Sequence, residues 1–171
     1  MSAAETGHLV LGTLHTSDTG STINRVIGMF ELSEEQLIRA RLAESIKFVV
    51  SQRLLSKIGG GRVAAFEILK TNLRIKDLIV NGEDEEKNFY NVLETSSTYG
   101  MITFDQYIMA LFESGKITEE TAMLAASDKA KLGQMIDKLK TSRGEKVTDI
   151  EGLEFDVDYG STGEELSRNR Y

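Results

Sequence analysis

Only two histidines occur in this chain, His8 and His15, and they bracket the short apolar run Leu9-Val10-Leu11-Gly12-Thr13-Leu14. A neutral imidazole donates one hydrogen bond and accepts another, and a protonated one can meet a phosphate. Val10, Leu11 and Leu14 suit a strand buried on both faces, and the run is too short for a helix. His15 and Thr16 then fall at the carboxyl end of that strand, ahead of the polar loop Ser17-Asp18-Thr19-Gly20. In open parallel α/β sheets, ligands gather where strands end and loops begin. A solvated histidine at a strand end is the competing reading of His15.

The elements that must position this segment can be read in order. A helix is expected around residues 20–30. Ser33-Glu34-Glu35-Gln36 has the form of a capping box opening a helix with Ile38, Leu42 and Ile46 on one face. Near Phe48 the pattern turns β-branched, and residues 48–55 read as a strand. Gly59-Gly60-Gly61 turns the chain into a second strand over 62–69. The triple glycine lacks a following Gly-Lys-Ser/Thr and lies between strands, which sets it apart from a phosphate loop.

From residue 72 the pattern is helical. Asn72 caps a helix carrying Leu73, Ile75, Leu78 and Ile79, with Gly82 as a left-handed stop. Phe89, Val92 and Leu93 anchor a helix near 84–95. Thr103-Phe104-Asp105-Gln106 forms a second capping box. It precedes Phe104, Tyr107, Ile108, Leu111 and Phe112, one apolar helical face closed by Gly115. Thr118 opens a short helix to Ala126, and Leu132, Met135, Ile136 and Leu139 mark a last one. These stripes read as core rather than as a ligand site.

Composition narrows the classes. The 171 residues suffice for about one domain. Without cysteine there is no disulfide and no thiolate metal site, and no metal ligand set is assigned. No apolar run approaches the roughly 18 residues of a membrane span, so the cytoplasm is the expected compartment. Residues 144–171 carry −5 of the net charge of −7. The near-neutral body has no basic stripe, which argues against a nucleic-acid partner. The acidic tail reads as solvated, with Val147, Ile150, Leu153, Phe155 and Val157 as a possible docking segment. Asp156-x-Asp158-x-Gly160 lacks the third ligand and closing Glu of a calcium loop. With no proline at all, helix starts must rely on polar caps.

Several segments, taken in order, resemble one family. Glu5-Thr6-Gly7-His8 through Leu14-His15-Thr16, followed by Thr22-Ile23-Asn24-Arg25-Val26-Ile27, resembles the histidine box of the type II/IV secretion ATPase superfamily. The Glu-Thr-Gly-His start and the Thr-Ile-x-Arg helix are similar to its twitching-motility, pilus-retraction branch rather than to the pilus-assembly and type II secretion ATPases. Leu42-Ala43-Glu44-Ser45-Ile46, Val50-Ser51-Gln52-Arg53-Leu54-Leu55, Gly59 through Leu69, and Gly100-Met101-Ile102-Thr103-Phe104-Asp105-Gln106 continue the resemblance nearly to residue 140.

The resemblance implies an α/β fold: the C-terminal part of a RecA-like P-loop NTPase domain over residues 1–70, a bundle of short helices over 71–141, and an acidic, disordered tail over 142–171. It implies a cytoplasmic homo-hexameric motor at the inner-membrane base of a type IV pilus. Such a motor uses ATP and Mg²⁺ to drive pilus retraction and twitching. Its partners would be a platform protein and related pilus ATPases, and it would reach the membrane only through them. His15 would sense or contact the γ-phosphate region with help from Thr16, and His8 would hold the sheet or a subunit contact. Arg25 and Arg53 match family positions, where a carboxylate pairing is the simpler role, and Glu5 is not assigned as the base.

Two departures accompany the matches. The family's Gly-x-x-x-x-Gly-Lys-Ser/Thr is absent, and its Walker B carboxylates would lie ahead of Glu5. The chain therefore reads as a C-terminal part of such a motor that does not turn over ATP by itself, with Met1-Ser2-Ala3-Ala4 as a start inside a longer frame. The branch's retraction element, Ala-Ile-Arg-Ala/Asn-Gly/Leu, is matched by Arg74-Ile75-Lys76-Asp77-Leu78, where Arg74 replaces the small first residue. The alternatives are a non-catalytic module that docks on the pilus machinery or on full-length ATPase subunits, and a relative of the pilus-assembly or type II secretion ATPases.

Overall fold

Helix starts in this proline-free chain are made by side chains. Asp18, Asn72, Asn88, Thr103, Thr118 and Asp128 each accept a hydrogen bond from the backbone N–H three residues on. Each thereby satisfies one of the donors that a helix leaves without an internal partner. In the computed structural model, which describes residues 1–145, these caps open all but two of the helices. The order is α1 (Ser2–Glu5), α2 (Thr19–Ile27), α3 (Glu35–Ser45), β1 (Phe48–Ser56), β2 (Arg62–Lys70), α4 (Leu73–Asn81), α5 (Phe89–Glu94), α6 (Phe104–Glu113), α7 (Glu119–Ala125) and α8 (Lys129–Ser142).

β1 and β2 form an antiparallel hairpin in register from Phe48↔Lys70 to Ser56↔Arg62. Gly59, Gly60 and Gly61 all have positive φ, which only glycine adopts freely, and so turn the chain as expected. Alternate residues face inward: Val49, Ser51 and Leu55 on β1, and Ala65, Glu67 and Leu69 on β2. The free edge of β2 is covered locally by Ile102, which exchanges two backbone hydrogen bonds with Ile68.

Two apolar cores sit against the hairpin. Ile23 and Ile27 of α2, Leu42 of α3, Val49, Leu69, the buried face of α4, and Phe89 and Leu93 of α5 form the first. Leu55, Ala65, Phe104, Ile108, Leu111, Ile117, Ala122, Leu132 and Ile136 form the second. Both draw on residues before and after position 70, because the hairpin is shared between them.

Four expectations require correction. Residues 8–16 form no strand: among the described residues no backbone N–H or C=O of Leu9–Thr16 pairs with another strand, and Leu9 and Leu11 are 88% and 86% exposed. A strand buried on both faces needs neighbours at its edges and cover on both sides. Among the described residues the sheet is a two-stranded antiparallel one, so it offers no parallel neighbour. The Ser33 capping box does not form either; Leu32–Glu34 make a 3₁₀ turn, and α3 begins without a side-chain cap. Gly82 has positive φ but an extended ψ, so it stops α4 without a left-handed cap. The helix expected from 84 starts only at Phe89, because Asp84 instead accepts from the N–H groups of Glu86 and Lys87 and closes a turn. The tail segment from 147 to 157 and the Asp156–Gly160 motif lie outside the described residues.

Candidate functional site

The polar loop behind His15 is fixed by α2. Asp18 accepts from the Ser21 N–H at 2.7 Å, the Ser21 hydroxyl at 2.9 Å and the Ser17 hydroxyl at 2.6 Å. Burial alone would push the Asp18 carboxyl up; these hydrogen bonds and the charge of Arg53 outweigh it and hold the group below its ordinary value. Thr22 Oγ1 donates to the Asp18 carbonyl at 2.8 Å, and Thr16 Oγ1 lies 2.7 Å from Thr22 Oγ1. A hydroxyl has one proton, and that of Thr22 goes to the Asp18 carbonyl, so Thr16 is the donor of that pair.

His15 is exposed. With Thr16, Ser17, Ser21, Asn24 and Arg25 it lines one open depression beside the first turn of α2. The imidazole, the hydroxyls and the Arg25 guanidinium supply hydrogen-bonding and cationic groups on one side of such a depression. That donor set fits contact with an anionic group.

His8 is elsewhere. It follows α1, with Nδ1 3.0 Å from Thr6 Oγ1 and 3.2 Å from the Ala3 carbonyl, and it lines a different cleft with Leu9, Leu42 and Phe48. The structure therefore does not bring the two histidines to one site. Glu5 is engaged by Arg41 at 2.7 and 2.8 Å, and that hydrogen bonding holds its carboxyl below the usual range. The retraction-element positions lie on the first two turns of α4. Ile75 and Leu78 are buried in the first core, Arg74 is exposed, Lys76 pairs with Glu44 at 2.6 Å, and Asp77 accepts from Asn81.

Three residues central to this geometry were missed or undervalued in the sequence. Glu67, only 4% exposed, accepts from Thr19 N–H and Thr19 Oγ1, both at 2.8 Å, and from Phe104 N–H at 3.4 Å. Asp105, equally buried, accepts from Ser127 N–H at 2.7 Å, Asp128 N–H at 2.9 Å and the Tyr90 hydroxyl at 2.9 Å. Burial and this bond to Asp105 push the Tyr90 phenol well above its ordinary range, so it stays a donor. Among the described residues Arg53 makes no ion pair with a carboxylate. Its guanidinium lies 3.9 Å over the Phe104 ring and donates to the carbonyls of Ala125 at 2.8 Å and Ser17 at 3.4 Å, and to the Ser127 hydroxyl at 3.2 Å. An acidic residue on an inward-facing strand position, as Glu67 is between Ala65 and Leu69, was the available signal.

Residues 1–60 match the family described as Type II/IV secretion system protein. The chain is 44% identical over 122 residues to the type IV pilus retraction ATPase PilT of Pseudomonas aeruginosa, covering 71% of this chain and 35% of that protein. It is 40% identical over 129 residues to a twitching motility protein of Neisseria gonorrhoeae, covering 75% of this chain and 34% of that protein. The chain thus spans about a third of the length of these curated relatives. A crystal structure of the pilus retraction motor PilT with bound ADP superposes with a TM-score of 0.64 at 40% identity, over 78% of this chain and 36% of that one.

Proposed function

We propose that the chain belongs to the type II/IV secretion ATPase family, which its similarity to the family model and to the retraction ATPases supports, and that it serves as part of a hexameric, ATP-driven motor that retracts type IV pili. In this reading residues 1–70 belong to the RecA-like core, 71–141 to the helical region and 142–171 to an acidic extension. The motor works in the cytoplasm at the inner-membrane base of the pilus and contacts the membrane only through its partners, a platform protein and related pilus ATPases. ATP with Mg²⁺ supplies the phosphoryl group when bound; His15 and Thr16 face its γ-phosphate end, and His8 serves a sheet or subunit contact. Arg74 to Leu78 form the element that couples turnover to retraction.

The observation that carries the reading is the histidine-box match ending at an exposed His15, whose loop is held rigidly by Asp18, Thr22 and Arg53. The test is a chromosomal His15→Ala change. Because His15 is exposed, the variant is expected to accumulate normally, and twitching is expected to be lost. Normal twitching at normal protein levels overturns the assignment. The purified 171-residue chain, whose sequence holds no phosphate loop, is expected to show no ATP turnover. Turnover abolished by His15→Ala would contradict that.

A further inference from the structure

The caps of α2 and α6 each take the N–H of the third helical residue, Ser21 for Asp18 and Gln106 for Thr103. That leaves the N–H of each first residue, Thr19 and Phe104, buried and in need of an acceptor. One side chain takes both: Glu67 bonds Thr19 through Oε1 and Phe104 through Oε2. Two helix N-termini thus converge on one buried carboxyl group, which suits its charge. The next residue of α6, Asp105, repeats the device on the N-terminus of α8 through Ser127 and Asp128. Arg53 closes the path, reaching from Ser127 and Ala125 back to Ser17 across the Phe104 ring.

We infer that Glu67, Asp105 and Arg53 form a closed coupling circuit in which the position of the Ser17–Thr19 loop behind His15 and the position of the α7–α8 junction are set by each other. All three are positioning residues. Glu67 and Asp105 are buried and fully partnered while Arg53 is half-buried, and loosening either carboxylate leaves buried donors unsatisfied, which resists partial rearrangement. The loop end and the junction accordingly move together or not at all. Only the consequence for ATP chemistry rests on the proposed function; the coupling itself is a property of the folded chain.

The test is amide hydrogen exchange with nuclear magnetic resonance on the 171-residue chain, free of nucleotide. Asp105→Asn touches no residue from 15 to 20, yet it sets an amide N–H₂ against the donors of Ser127 or Asp128. The expected result is exchange at Thr19 accelerated about tenfold, together with a shift of the His15 ring resonances, while Ile79 in α4 is unchanged. Acceleration confined to Ser127 and Asp128 overturns the proposal, and so does equal acceleration at Thr19 and Ile79, which marks a merely structural role. Should Asp105→Asn not fold, Tyr90→Phe removes a single donor from the same carboxylate and is read against the same three sites. No outcome involves ATP, so failure here is distinct from failure of the motor assignment.

Discussion

Replacing Glu67 by alanine removes the acceptor of three donors. Two of these, the backbone N–H groups of Thr19 and Phe104, cannot turn away and have no other acceptor among the described residues. The Thr19 hydroxyl can rotate to another partner. A buried donor left unsatisfied costs about 1–3 kcal/mol. The Phe104 bond is long, at 3.4 Å, so its loss falls at the low end, and the Thr19 bond at 2.8 Å falls higher. Loss of the negative end facing two helix N-termini adds about 0.3–1 kcal/mol for each. Glu67 also lines the cleft beside Gly20 and Asp18, through which water can reach part of the vacated space and lower the total. The sum is about 3–4 kcal/mol. At a urea dependence of about 1–3 kcal/mol per molar, the unfolding midpoint falls by roughly 1–4 M. Glu67→Gln keeps an oxygen for Thr19 and turns its amide toward Phe104, so it costs about half as much. Urea titration followed by far-ultraviolet circular dichroism measures both. If Glu67→Ala unfolds within about 0.5 kcal/mol of the parent, or Glu67→Gln is as damaging as alanine, the double-capping account is wrong.

Thr103→Ala removes the hydroxyl half of the α6 capping box while leaving Gln106 to accept from the residue 103 N–H, and is expected to cost about 1–2 kcal/mol in the same titration. Asp18 gives a pH signature. Its folded carboxyl is held below the ordinary 3.8, so its contribution is present above that value and fades as pH falls through the lower folded value. The stability gap between parent and Asp18→Asn should therefore be constant near neutral pH and close on acidification; a gap that widens in acid would reverse the sign.

The hairpin and the helices after residue 72 were legible because their signals are local: glycines at a turn, polar caps, apolar positions at helical spacing. Thr103 and Gln106 announce their helix in four residues. The failures share a different cause. The run from Leu9 to Leu14 has the composition of a buried strand, but whether it becomes one depends on neighbours that a linear pattern does not contain. Ser33-Glu34-Glu35-Gln36 matches a cap by type, yet the chain enters α3 through a 3₁₀ turn, where the serine hydroxyl does not cap the helix. Glu67 and Asp105 were invisible as a pair, because their partners Thr19 and Ser127 lie 48 and 22 residues away along the chain. Arg53 looked like a surface cation seeking a carboxylate, and it is an anchor on an aromatic ring and carbonyl oxygens instead.

The histidine segment is consequently anchored at its ends and not along its apolar run. On its carboxyl side Thr16 is tied to α2, Ser17 to Arg53 and Thr19 to Glu67, so the loop end has a defined place. On its amino side, residues 9–14 bury little and pair with no strand among the described residues, and the exposed Phe48 and Val50 of β1 line clefts with them. A strand contributes stability only once its edge donors and its apolar face are both satisfied. Nothing inside the described residues satisfies them for this run. The position of His15 therefore follows from the carboxyl-side anchors, and a change at Glu67 or Arg53 should displace it more than any substitution among Leu9, Val10 and Leu11.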